Sequence, residues 1–140
     1  MATIMVVDDD FLIRNFLNRL LTLHKHNVVE ASDGLEALDA MGQDSLPDLI
    51  FMDHQMPRPA GVDCSRQLKT LYPSLKIVLM SGSFGIDDDG YLAANKDLFI
   101  DILLKPFCIK DVISAVEYAL RDEAQEELLL AQCSNARRPI

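Results

Sequence analysis

Four apolar runs in this 140-residue chain end on polar side chains of the kinds that handle charge. Asp8 and Asp9 follow Thr3-Ile4-Met5-Val6-Val7, and Asp53 closes Leu49-Ile50-Phe51-Met52. Ser81 follows Lys76-Ile77-Val78-Leu79-Met80, and Lys105 follows Ile102-Leu103-Leu104. If these runs are parallel strands, three carboxylates, a hydroxyl and an ammonium converge on one face. Two carboxylates about 4 Å apart at an effective dielectric of about 20 repel by about 4 kcal/mol, and one lysine cannot cancel three of them. A divalent cation can, and an all-oxygen acidic set suits Mg²⁺. With the lysine and hydroxyl beside it, such a pocket is suited to holding a phosphoryl group. Asp53, in the middle, is then the candidate nucleophile, forming an acyl phosphate.

The elements that must position these groups are legible in the same runs. Short, continuous apolar stretches suit the buried strands of a parallel sheet, and Pro47 and Pro57 punctuate the run that delivers Asp53. Asn27-Val28-Val29-Glu30-Ala31 is more polar and reads as a strand nearer an edge. Between the strands the period changes. Leu12, Ile13, Phe16, Leu17, Leu20 and Leu21 form a helical stripe; Leu35, Leu38 and Met41 form another behind a cap at Asp33 with Glu36; Leu68 and Leu71 belong to a third that starts at Gly61. A short helix is expected between Phe84 and Lys96. A last helix runs from Ile109 through Val112, Ile113, Val116 and Leu120, with an apolar continuation toward Leu130. Five strands alternating with five helices give a single doubly wound α/β domain of three layers with a mostly parallel sheet.

The totals narrow the class. Half-apolar composition (49%) with 25% charge excludes a disordered chain, and a net charge of -9 argues against direct contact with nucleic acid. Three cysteines, Cys64, Cys108 and Cys133, show no paired spacing and suit a reducing, cytoplasmic setting. No run reaches membrane-spanning length, so no membrane contact is expected.

Val6-Val7-Asp8-Asp9-Asp10, Asp53 with Met56-Pro57 and Gly61, Met80-Ser81-Gly82 and Lys105-Pro106-Phe107 together resemble the receiver domain of two-component response regulators. The resemblance spans roughly residues 3 to 122, giving a domain at 1–122 and a helical extension and tail at 123–140. It implies a flavodoxin-like sheet of order 2-1-3-4-5 and a phosphoryl group passed to Asp53 from a phosphohistidine on a sensor histidine kinase or histidine phosphotransfer protein. It implies Mg²⁺ held by Asp9, by Asp8 largely through water, by Asp53 and by the Gln55 backbone carbonyl. Lys105 and Ser81 would bond the phosphoryl oxygens, and a cis bond would join Lys105 to Pro106. Such a domain is a signalling phosphoacceptor that assists its own phosphorylation and dephosphorylation, not an enzyme with a separate substrate. Two departures touch its output: Ile102 stands where many relatives have an aromatic switch residue, and Pro59-Ala60-Gly61 replaces the usual Met-Asp-Gly.

Other readings of the same residues compete. Asp8-Asp9-Asp10, Ser81 and Lys105 superficially fit a phosphatase of the haloacid dehalogenase type, but that family needs no acid at position 53, and Leu12 stands where it usually has Thr or Val. A scaffold receiver that is never phosphorylated would not require the full acidic, serine and lysine set. Asp10 reads as a helix start, and His54 as a loop-positioning or solvent-facing residue. His24 and His26 read as helix-end residues favourably placed on the dipole. Asp87-Asp88-Asp89-Gly90 does not fit a calcium loop, because the twelfth position is Lys96. Since little chain follows the last helix, a stand-alone module is expected. It would signal to a downstream protein target by contact or relay, with a homodimer through Leu128-Leu129-Leu130 as a possible assembly.

Overall fold

The computed structural model describes residues 2–41, 46–55, 61–82 and 96–121. Its strands are β1 (Thr3–Val7), β2 (Asn27–Ala31), β3 (Leu49–Asp53), β4 (Ile77–Ser81) and β5 (Asp101–Leu104). All pair in parallel, in the order β2-β1-β3-β4-β5. The α-helices are α1 (Phe11–Leu23), α2 (Gly34–Ala40), α3 (Gly61–Leu71) and α4 (Ile109–Leu120), with a 3-10 turn at Lys96–Leu98. The expected helix between Phe84 and Lys96 and the continuation of the last helix beyond Leu120 fall outside the described residues, apart from that turn. Among the described residues no helix is long and apolar enough to cross a membrane.

Strand alternation sends side chains to opposite faces, and the sheet uses both. Met5, Val7, Ile50, Met52, Ile77 and Leu79 pack on the side of α2 and α3; Ile4, Val6, Leu49, Phe51, Val78 and Met80 pack on the side of α1 and α4. This two-sided burial explains why the central strands read as continuous apolar runs. At the edge, β2 buries only Ala31 fully, which accounts for its polar sequence.

The helices start where their caps dictate. Asp10 accepts the Leu12 N–H at 2.9 Å, so it opens α1 as expected. Asp33 accepts the Glu36 N–H at 2.9 Å, while Glu36 reaches back to the Ser32 N–H at 2.7 Å. Helix α4 is fixed by Asp111, which accepts the Cys108 N–H at 3.0 Å. The apolar periodicity misplaces three residues. Leu12, Leu35 and Leu71 are 72%, 60% and 63% exposed, because each sits beyond the arc of its helix that the sheet covers. His26 is also more than a helix-end residue. Its Nδ1 accepts the Ala2 N–H at 3.1 Å, tying the start of β1 to the turn before β2, and burial holds its pKa below the usual value.

Gly61 matters because of where α3 begins. A Cβ there would fall on the Asp53 carbonyl oxygen and lie 2.8 Å from the His54 Cα, while the Gly61 N–H donates to the His54 carbonyl at 3.2 Å. Only a residue without a side chain lets α3 start against the end of β3. Gly61→Ala should therefore destabilise the fold by about 2 kcal/mol or more, read as a lower urea midpoint at unchanged slope.

Candidate functional site

The sheet order puts β1 beside β3, the place where the chain's connections diverge to opposite sides and where such sheets bind ligands. Val7 pairs with Met52 in register, so the residues that follow, Asp8 and Asp53, emerge side by side. Both are almost fully buried. Asp9 stands exposed next to them, and carboxylate oxygens of Asp8, Asp9 and Asp53 lie within 4.8 Å of one another. At that separation each ionised pair repels by roughly 3 kcal/mol at an effective dielectric of about 20.

Lys105, just past β5, is the counter-charge. Its Nζ donates to Asp8 Oδ2 at 3.0 Å and to Asp53 Oδ1 at 3.1 Å. Burial works against the ammonium, but the bonds and charges of the two carboxylates outweigh it and raise its pKa. Asp53 answers differently. Burial first, and the charge of Asp8 second, push its carboxyl up to about 6 against the pull of Lys105. One ammonium does not neutralise the cluster.

Ser81 ends β4 with a fully buried Oγ that has no hydrogen-bond partner among the described residues. A buried hydroxyl without a partner is costly, so this one marks a place where an acceptor belongs. Its carbonyl accepts the Lys105 N–H at 2.6 Å, which ties the two site loops together. Asp8, Asp9, Asp53, Ser81 and Lys105 are thus all at the C-terminal rim of the sheet. Gln55 is exposed beside them, its N–H 3.4 Å from Asp53 Oδ1. The Lys105–Pro106 bond is cis. Asp10 is spent on capping α1 rather than on the cluster. His54 turns a half-buried ring with an unpartnered Nδ1, and burial lowers its pKa. An all-oxygen cluster, with one acid exposed to admit water, fits a hard divalent cation of the Mg²⁺ type.

Arg14 belongs to none of the sequence motifs, yet it touches the site. Its Nη1 donates to the Asp8 carbonyl at 2.7 Å and its Nε to Glu30 Oε1 at 3.1 Å. Glu30 is 16 residues away, so no local pattern signals the pair.

The folded chain holds the Asp53 proton more tightly than the unfolded chain, whose value is near 3.8. Stability is therefore lost as pH rises from that value through about 6, where Asp53 ionises. Metal-free Asp53→Asn should unfold at higher urea than the parent at about pH 7.5, and the advantage should vanish near pH 4.

A family model described as the response regulator receiver domain matches residues 4–117. Response regulator MprA of Mycobacterium avium is 34% identical over 125 residues, covering 89% of this chain and 53% of that protein. MprA of Mycobacterium leprae is 32% identical over 133 residues, covering 91% of this chain and 57% of its own length. The chain thus spans about half the length of the curated relatives it matches. A response regulator receiver domain protein from Clostridium thermocellum superposes with a TM-score of 0.76 at 27% identity, covering 92% of this chain and 99% of that one. NtrX from Brucella abortus gives a TM-score of 0.76 at 30% identity, covering 97% of this chain and 29% of that one. With the acidic rim, the lysine and the parallel sheet of order 2-1-3-4-5 in hand, the match over residues 4–117 makes this chain a member of the response regulator receiver family.

Proposed function

We propose that Asp53 accepts a phosphoryl group from a phosphohistidine of a sensor kinase or histidine phosphotransfer protein. The observation that carries this reading is the cluster of Asp8, Asp9 and Asp53 within 4.8 Å, of which Lys105 bridges Asp8 and Asp53 and no other cation pairs with the cluster among the described residues. An Asp53 oxygen forms the new P–O bond as the P–N bond of the donor breaks and the imidazole takes the electron pair. Mg²⁺, when bound, would supply the charge that lets the acidic residues and the incoming phosphoryl oxygens share this space. Asp9 and Asp53 would hold it directly, with Asp8 through water and the Gln55 carbonyl as a further ligand. Lys105 would turn from its carboxylate partners to the phosphoryl oxygens, and the unpartnered Ser81 hydroxyl would donate to them.

The donor is read as a protein because apolar surface borders this rim. Phe11, Leu12 and Ile109, 62%, 72% and 54% exposed, open α1 and α4 directly beyond the loops that carry Asp9 and Lys105. A groove of about 330 Å³ runs from Leu12 to Leu23 and Ile109. Output is read as protein contact or phosphoryl relay. A role of the stretch 123–140 in assembly or partner binding lies outside the described residues.

Acetyl phosphate with Mg²⁺ should label the parent chain on Asp53, seen as an added phosphoryl mass on the peptide containing it. Asp53→Asn should lose the label, and Asp9→Ala should need about tenfold more Mg²⁺ or higher for equal labelling. Labelling that persists in Asp53→Asn would refute the assignment. Leu12→Glu should slow labelling by a phosphohistidine protein about tenfold relative to labelling by acetyl phosphate, since it places a charge in an apolar contact.

A further inference from the structure

Of the three carboxylates at the acidic rim, Lys105 holds Asp8 and Asp53 but not Asp9. Every polar group of Asp8 is engaged. Its N–H donates to the Ala31 carbonyl at 3.1 Å, Oδ1 accepts the Asp10 N–H at 2.8 Å, and Oδ2 accepts from Lys105 at 3.0 Å. Its carbonyl accepts from Arg14 at 2.7 Å. Asp9, the exposed member of the cluster, makes no hydrogen bond or ion pair among the described residues. The direction of its side chain is therefore set by its backbone, and the peptide joining Asp8 to Asp9 is the one whose carbonyl Arg14 grips.

Arg14 is itself held from three sides. Its Nε pairs with Glu30 Oε1 at 3.1 Å, and the other oxygen of Glu30 accepts from Asn18 Nδ2 at 2.6 Å. Asn18 in turn accepts from Thr22 Oγ1 at 3.1 Å, so Arg14, Asn18 and Thr22 form a row along α1 at four-residue steps. The guanidinium carbon lies 5.7 Å from the centre of the Phe11 ring. At 16% exposure the Arg14 side chain is largely shielded, which strengthens its pairing with Glu30 relative to a surface ion pair. Glu30 lies on β2, opposite Val6 of β1, so the row fastens the β1–α1 loop to the edge strand.

We infer that Arg14, held by Glu30, which Asn18 holds in turn, is a positioning residue that orients Asp9 for cation binding by pinning the Asp8–Asp9 peptide. The inference rests on the reading of the acidic rim as a cation site. Glu30 has a second part in it. Arg14 brings a positive charge to the backbone of a residue in the cation cluster, and Glu30 offsets that charge before it opposes the metal. Removing either member should weaken binding, but for different reasons. Loss of Arg14 frees the peptide, whereas Glu30→Gln leaves a donor on the Asp8 carbonyl and strips away its compensation.

The test is Mg²⁺ binding by the full chain, read as a dissociation constant by titration calorimetry, with urea unfolding of the metal-free protein measured beside it. Arg14→Ala should raise the dissociation constant about tenfold, and Arg14→Lys should recover part of the loss by keeping one donor. Glu30→Gln should raise it by about threefold, and that effect should shrink as salt is added. A merely structural role predicts a lowered urea midpoint with an unchanged dissociation constant, and that result would overturn the inference alone. No Mg²⁺ binding by the parent chain would overturn the cation reading and this inference together.

Discussion

Two buried carboxylates side by side at the end of a hydrophobic sheet are the constraint this fold is built around. Asp8 and Asp53 emerge from adjacent strands in register, and neither reaches bulk water. Left alone they would repel and desolvate at a cost that exceeds much of a small domain's net stability. Lys105 meets both, yet the raised pKa of Asp53 records that the compensation is incomplete. A proton on Asp53 or a further cation beside it relieves the repulsion that Lys105 leaves.

A repulsive rim needs a rigid base. All five residues of β3 and all five of β4 are buried, and β1 is buried from its second residue on. Each fully buried large apolar side chain contributes roughly 1.5–3 kcal/mol, spread over both faces, so the strands cannot slide or tilt to separate the carboxylates. The price of holding Asp8 and Asp53 together is met in the core, away from the rim. Gly61 adds the last restriction, letting α3 start against the very backbone that carries Asp53.

The candidate site residues were legible because each breaks an apolar run, and a buried strand makes such a break conspicuous. Asp8, Asp9, Asp53, Ser81 and Lys105 were all placed from that signal. The order of the strands was not, since alternation fixes a parallel α/β sheet without ranking its members; that came from the family resemblance. Helix faces were read less well. Leu12, Leu35 and Leu71 keep the apolar spacing but lie past the arc the sheet covers, and spacing alone does not say where coverage stops. Arg14 left no trace, because its partners, the Asp8 carbonyl and Glu30, are joined to it only by tertiary structure. His26 was underread for the same reason, its partner being the backbone of Ala2.

The two polar residues that would meet a phosphoryl group begin from opposite states. Lys105 already makes two charged hydrogen bonds, so a new anion exchanges its partners without creating a need for it to move. Ser81 begins with a buried hydroxyl that bonds nothing among the described residues, so the same anion adds a bond where there was none. Differential interaction, not total interaction, shifts an equilibrium between conformations. On the proposed reading, Ser81 is then the residue whose environment changes most, and its backbone carries the change directly: the Ser81 carbonyl holds the Lys105 N–H at 2.6 Å. Ile102, beside Leu79 in the next strand and partly buried against the α2–α3 side of the core, is β-branched and stiff. It offers packing resistance rather than a second rotating group, so on the proposed reading the ends of β4 and β5 would respond as one unit, joined by the Ser81–Lys105 backbone bond.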